Sequence, residues 1–158
     1  MSEGNEKSEP TETRAEVEAV AMRLLARRDH GRRELARKLC RRGFDDLLVE
    51  KVIEDCAQRG YLDDARFADH QSAILVRKCW GPRQIRKKLR ARGVDDKFID
   101  AALDNHGDNQ IWQTKARQRL HARFGPAEEL EQRDLQRAFR HLRYRGYHPQ
   151  LIRRLLFD

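Results

Sequence analysis

The sequence predicts an all-α protein: three tandem three-helix repeats stacked into an elongated, curved array. Three observations lead there. Only 4 Pro and 9 Gly interrupt a 158-residue chain with few β-branched residues. A helix-joint signature recurs around Gly43, Gly93 and Gly146. Blocks of basic and acidic charge alternate along the chain, as they would with one basic element per structural unit.

Composition narrows the class further. Charged residues make up 38% of the chain and hydrophobic ones 39%, with a net charge of +8. A typical domain is about 25% charged, so material for a thick core is scarce. No run approaches the ~18 consecutive apolar residues of a membrane span, and no apolar stretch near Met1 resembles a secretory signal. Three cysteines, an odd number, argue against a secreted disulfide scaffold. The expectation is a basic, cytoplasmic, monomeric protein with no membrane partner.

The joints define the repeats. Leu39, Leu89 and Leu142 stand four residues before the three glycines, and Leu35, Ile85 and Ala138 stand eight before. These are i, i+4 partners on the buried face of a short helix. Each glycine supplies the left-handed residue that ends the helix. Phe44, Val94 or Tyr147 follows, then an N-cap, Asp45, Asp95 or His148, with Pro149 at the first helical position of the third unit. That register puts Val49, Ile99 and Ile152 at N4, opposite the residue before the cap, which is a hydrophobic staple. A second joint precedes it. Gly31, Gly81 and Gly125 read as N-caps of the middle helices, with Glu34, Gln84 and Glu128 three residues on and Pro82 at N1. The third unit carries nine extra residues between its two glycines.

The first helices are Ala15–Arg28, Asp64–Cys79 and Asn109–Phe124. The divisions are therefore a disordered acidic tail over 1–14 and repeats over 15–62, 63–107 and 108–158. Units of this size seldom hold a core alone, so they should stack.

Residues 27–43 carry a net +6, 76–93 carry +8 and 133–154 carry +6, while 44–75 carries −5 and 94–132 carries −3. With Ile85 and Leu89 in the core, Arg83, Lys87 and Arg90 point outward at 100° per residue. Arg37, Lys87 and Arg140 share one repeat position, and Arg33 matches Arg83 in the first unit. These six form a candidate filament- or nucleic-acid-binding stripe: outward bases in register suit an extended polyanion. Arg42, Arg92 and Arg145, one before each glycine, read instead as cations at the C-terminal dipole of their own helix.

No catalytic or metal site is expected, and no cofactor. Cys40, Cys56 and Cys79 include no C-x₂-C and no histidine at a zinc-like offset. Cys56 reads as core; Cys40 and Cys79 carry no signal either way. Asp63-Asp64 reads as a helix cap, with Leu62 and Phe67 as its staple, because paired carboxylates without a second acidic cluster make a poor site. Trp80 and Trp112 read as packing residues. The chain is not expected to be an enzyme.

Three motifs resemble one family. Arg28-Asp29-His30-Gly31-x-x-Glu34-Leu35-x-x-Lys38-Leu39, then Gly60-Tyr61-Leu62-Asp63-Asp64-x-Arg66-Phe67-Ala68, then Gly81-Pro82-x-x-Ile85-x-x-x-Leu89-x-x-x-Gly93 are similar to the bacterial regulatory protein RecX family. The resemblance runs from about Ala15 to Asp158; it departs at Gly31, where a serine is expected. It implies tandem three-helix repeats that bind the RecA–single-stranded-DNA filament. It also implies inhibition of RecA ATP hydrolysis, strand exchange and coprotease activity, restraining recombination and the SOS response. The alternative is a stand-alone helical protein that binds single- or double-stranded DNA directly.

Overall fold

The computed structural model describes residues 13–158. Nine α-helices and one 3₁₀ turn are present among the described residues, with no strand. They fall into two compact units, one through Asp63 and one from Asp64 to Asp158.

The first unit holds α1 (Arg14–Arg27), α2 (Arg32–Arg41) and α3 (Asp46–Gln58). Thr13 opens α1 with a capping box: its hydroxyl accepts from the Glu16 amide, and the Glu16 carboxylate accepts from the Thr13 amide. Arg14 is therefore helical and Thr13 its extended cap, not tail; the rest of the expected tail lies outside the described residues. Val17, Ala21, Leu35, Leu39, Val49 and Val52 close the core. Asp45 caps α3 by accepting from the amides of Leu47 and Leu48. His30, only 3% exposed, sits just before α2. Lys38 Nζ lies 3.0 Å from its Nε2 and the Arg28 carbonyl 2.9 Å from its Nδ1. An ammonium only donates, so Nε2 accepts, Nδ1–H donates, and the ring is neutral. Burial, with the charges of Arg28 and Lys38, holds its pKa below the usual histidine value.

The second unit holds α4 (Asp64–Arg77), α5 (Pro82–Ala91), α6 (Asp96–His106), α7 (Asn109–Phe124), α8 (Gln132–Tyr144) and α9 (Pro149–Phe157). Its core joins Phe67, Ile85, Leu89, Ile99, Trp112, Leu120, Leu142, Tyr147 and Ile152. The staples form as the spacing predicts: Val94 is 4% exposed and Tyr147, Ile99 and Ile152 are fully buried.

Two expectations are corrected here. Helix α4 stops at Arg77, because Cys79 takes a left-handed conformation at φ 55°. The Trp80 amide then donates to the Leu75 carbonyl and the Cys79 amide to Val76, which is a Schellman end with cysteine in the usual glycine place. Gly125 is not an N-cap. It ends α7 at φ 91°, and the extra residues form the 3₁₀ turn Ala127–Glu129 before Glu131 opens α8.

The C-terminus of α8 meets the N-terminus of α5 directly. The Gly81 amide donates to the Arg145 carbonyl at 2.8 Å and the Arg83 amide to Gly146 at 3.2 Å. Orphan donors of one helix thereby satisfy orphan acceptors of another. A Cβ on Gly81 would stand 2.5 Å from the Gly146 carbonyl carbon, so only glycine admits this approach.

Candidate polyanion-binding face

Helices α2, α5 and α8 each bury an i, i+4 apolar pair, namely Leu35 and Leu39, Ile85 and Leu89, Ala138 and Leu142. Opposite those pairs the helix must present whatever occupies i−2 and i+2 of the first core residue. Arg33, Arg37, Arg83, Lys87, Arg90 and Arg140 are all exposed, as predicted. Arg33 and Arg37 lie on α2 in the first unit; Arg83, Lys87 and Arg90 lie on α5 and Arg140 on α8 in the second.

Their charges are not equally available. Arg90 is held by Asp96 through two hydrogen bonds, Nε to Oδ1 at 2.7 Å and Nη2 to Oδ2 at 2.8 Å. That partner raises the arginine pKa and lowers the aspartate's. Arg90 is thus paired with α6 while its side chain stays exposed. Helix α6 also engages Arg86 through Asp100, and α3 engages Arg32 through Glu54. In both cases the third helix returns carboxylate to the middle one. Arg83, Lys87 and Arg140 have no such carboxylate among the described residues.

Arg145 departs from its expected role. Its side chain is 9% exposed and caps α4 rather than its own helix, with Nε donating to the Cys79 carbonyl at 3.2 Å and Nη2 to the Lys78 carbonyl. Its guanidinium lies 3.6 Å from the Trp80 ring centroid. Arg92 donates to Gln71 and lies over Phe67, so it too works across helices. The sequence reading missed both, because the carbonyls and rings they meet lie more than twenty residues away.

It also missed the length of the basic stripe on α8. Arg133, Arg137, Arg140 and Tyr144 are all exposed at a 4-3-4 spacing, which puts them on one line opposite Ala138 and Leu142. With the true start of α8 at Gln132, that spacing is readable in the sequence.

Other candidate chemistry is thin. A cleft of about 630 Å³ is lined by Pro82, Trp112, Tyr147, Gln150, Leu151 and Arg154 among others, with no carboxylate or thiol in its wall. No cluster of three metal-ligating side chains occurs among the described residues, and none of the described helices is long and apolar enough to cross a membrane. Burial, then the Asp46 carboxylate, pushes the Cys40 thiol up, and burial does the same to Cys56. Both are therefore poor nucleophiles. Cys79 is buried against the same turn that Arg145 caps.

A family model described as the first three-helix domain of RecX matches residues 19–56, and one described as its second three-helix domain matches 63–103. The regulatory protein RecX of Halorhodospira halophila is 40% identical over 139 residues, covering 87% of this chain and 84% of that one. The chain belongs to the RecX family. RecX of Acidithiobacillus ferrooxidans is 36% identical over 147 residues, covering 92% of each. Two solved structures share the fold. A crystal structure of regulatory protein RecX superposes with a TM-score of 0.80 at 19% identity, covering 92% of this chain and 73% of that one. RecX from Lactobacillus salivarius superposes at 0.77 and 17% identity, covering 90% and 94%. In this RecX member the two matched domains correspond to α1–α3 and α4–α6.

Proposed function

We propose that this RecX-family protein is a regulator, not an enzyme, which binds the RecA–single-stranded-DNA filament and restrains it, using the outward faces of α2, α5 and α8. In this reading α7–α9 is a third copy of the three-helix module. The observation that carries the proposal is the exposed base at one repeat position of each middle helix: Arg37, Lys87 and Arg140. A chain that places a cation there three times, each opposite a closed apolar pair, repeats one outward charge along its sequence, as suits a polyanionic partner. Occupying the filament groove would exclude duplex DNA and repressor substrates. Contacting neighbouring protomers would oppose the rearrangements that accompany ATP hydrolysis. Together these effects would restrain strand exchange, coprotease action and the SOS response from the cytoplasm.

The rival reading, direct DNA recognition in the manner of a helix-turn-helix, needs the helix after the turn to enter a groove. In the second module that helix is α6, which exposes Asp96, Asp100 and Asp104. It would repel phosphates.

The test is binding measured against salt on two targets, naked single-stranded DNA and assembled RecA filament. The proposal expects filament ATPase to fall at protein concentrations where naked-DNA binding is slight. Equal affinity for both targets would favour the DNA-binding reading.

A further inference from the structure

The α8 face differs from the other two middle-helix faces in two ways that both point to one ligand. First, it lacks acidic return from the third helix. Helices α3 and α6 supply Glu54, Asp96 and Asp100 to the bases of α2 and α5. Helix α9 instead reads Pro-Gln-Leu-Ile-Arg-Arg-Leu-Leu-Phe and exposes Arg153 and Arg154. The sole carboxylate on α8 facing its stripe is Asp134, 3.2 Å from Arg137, and both are solvent-exposed enough that the pair exchanges readily with another anion. Second, the stripe ends in an aromatic ring. Tyr144 is 68% exposed, one of a few large hydrophobic side chains open to solvent among the described residues. Its position is fixed from behind: Trp80 lies 6.4 Å away, centroid to centroid, and Trp80 is itself held by Arg145 at 3.6 Å and Lys88 at 4.3 Å. Arg145 is in turn tied to the Lys78 and Cys79 carbonyls.

We propose that Tyr144 is a base-stacking residue. A single nucleic-acid strand lies along α8 with its phosphates against Arg133, Arg137 and Arg140 and one base on the exposed tyrosine ring. The charge favours a polyanion. The ring selects a single strand from among polyanions, because an unpaired base offers a π-face that a stacked duplex and an acidic protein surface do not. Backing by Trp80 and Arg145 lowers the entropy lost on stacking, since the tyrosine is already oriented. This rests on the preceding reading only in taking the α8 face as a working surface. It names the chemistry that the third face meets: the DNA strand of the filament rather than protein.

The test uses the full chain and contains no recombinase, so its failure is distinct from failure of filament inhibition. Fluorescence anisotropy compares a labelled oligothymidylate, an abasic strand of equal length and a duplex. Wild type should prefer the oligothymidylate to the abasic strand. Tyr144→Ala should weaken oligothymidylate binding about tenfold and leave abasic binding unchanged, while Tyr144→Phe, which keeps the ring, should stay within about twofold. Arg140→Gln should weaken both strands alike and lower the salt slope by about one. Alanine at an exposed helix position does not threaten folding, and circular dichroism confirms it. Tyr144→Ala binding oligothymidylate like wild type overturns the proposal. So does wild type binding the duplex more tightly than the single strand, or binding neither strand; the latter would assign the face to acidic protein.

Discussion

Replacing Gly81 by alanine tests how the second unit is held together. Its backbone, at φ −82°, is open to any residue, so strain is not the issue. Space is. The new Cβ would lie 2.5 Å from the Gly146 carbonyl carbon, and 2.6 Å from both the Gly146 oxygen and the Tyr147 nitrogen. All three are backbone atoms, so no rotamer change relieves the clash, and the end of α8 must retreat from the start of α5. Overpacking of this kind costs about 1–3 kcal/mol. Retreat also lengthens the two joint hydrogen bonds, from the amides of Gly81 and Arg83, worth about 1 kcal/mol each. The expected loss is about 2–5 kcal/mol, or roughly 5–15 °C in Tm for a chain of this size. Gly43→Ala is the control: its φ is +94° but nothing lies within 4 Å of the added Cβ. It should lose only the left-handed strain, about 1–2 kcal/mol. Thermal and urea unfolding followed by circular dichroism read both variants. Gly81→Ala melting within about 2 °C of wild type, or losing no more than Gly43→Ala, would refute the joint as a stabilising contact.

Three further outcomes follow from the same unit. Tyr147→Phe should leave stability unchanged or raise it by about 1 kcal/mol, because its hydroxyl is buried with no partner among the described residues and burial pushes its pKa well up; urea midpoints check this. Arg145→Lys should cost about 2 kcal/mol, since an ammonium cannot both fork onto the Lys78 and Cys79 carbonyls and lie flat over Trp80; Trp fluorescence should shift with it. Burial, then Arg119, Arg123 and Arg145, lowers His141 to about 4, and Nε2 accepts from Arg119 Nε at 3.1 Å. The unfolded chain therefore binds the proton first, so stability is intact above about pH 6.5 and falls by about 1–2 kcal/mol toward pH 4, after allowance for partial exposure. His141→Gln should flatten that slope, leaving the smaller contribution of His30, which has the same sign.

What was legible follows a physical division. The caps and staples are local, fixed by residues three to five apart, and the pattern of Phe44, Val94 and Tyr147 against Val49, Ile99 and Ile152 placed the starts of α3, α6 and α9 to the residue. The same locality set the outward bearing of Arg37, Lys87 and Arg140. Gly125 misled because glycine serves both as N-cap and as left-handed terminator. Its φ of 91° settles the second role, and α8 starts seven residues later. Cys79 misled for the converse reason: a cysteine occupies the terminator position that glycine usually takes. Thr13-x-x-Glu16 is readable as a capping box, but the polar neighbours of Thr13 put it with the tail. Arg145 was illegible in principle. Whether a cation beside a C-terminal glycine serves its own helix or another depends on the close approach of Gly81 to Gly146, which no spacing reveals.

The central claim is that bases at one repeat position of the middle helices restrain a recombinase filament. The most direct measurement is single-stranded-DNA-dependent RecA ATPase titrated with wild type and with the Arg37→Glu/Lys87→Glu/Arg140→Glu variant. All three side chains are exposed, so the variant should fold and melt like wild type to within about 1 kcal/mol. Wild type should suppress hydrolysis, and the folded variant should need at least about tenfold more protein for the same effect, as expected where several charge contacts reverse sign. Full suppression by that variant at wild-type concentrations would contradict the account.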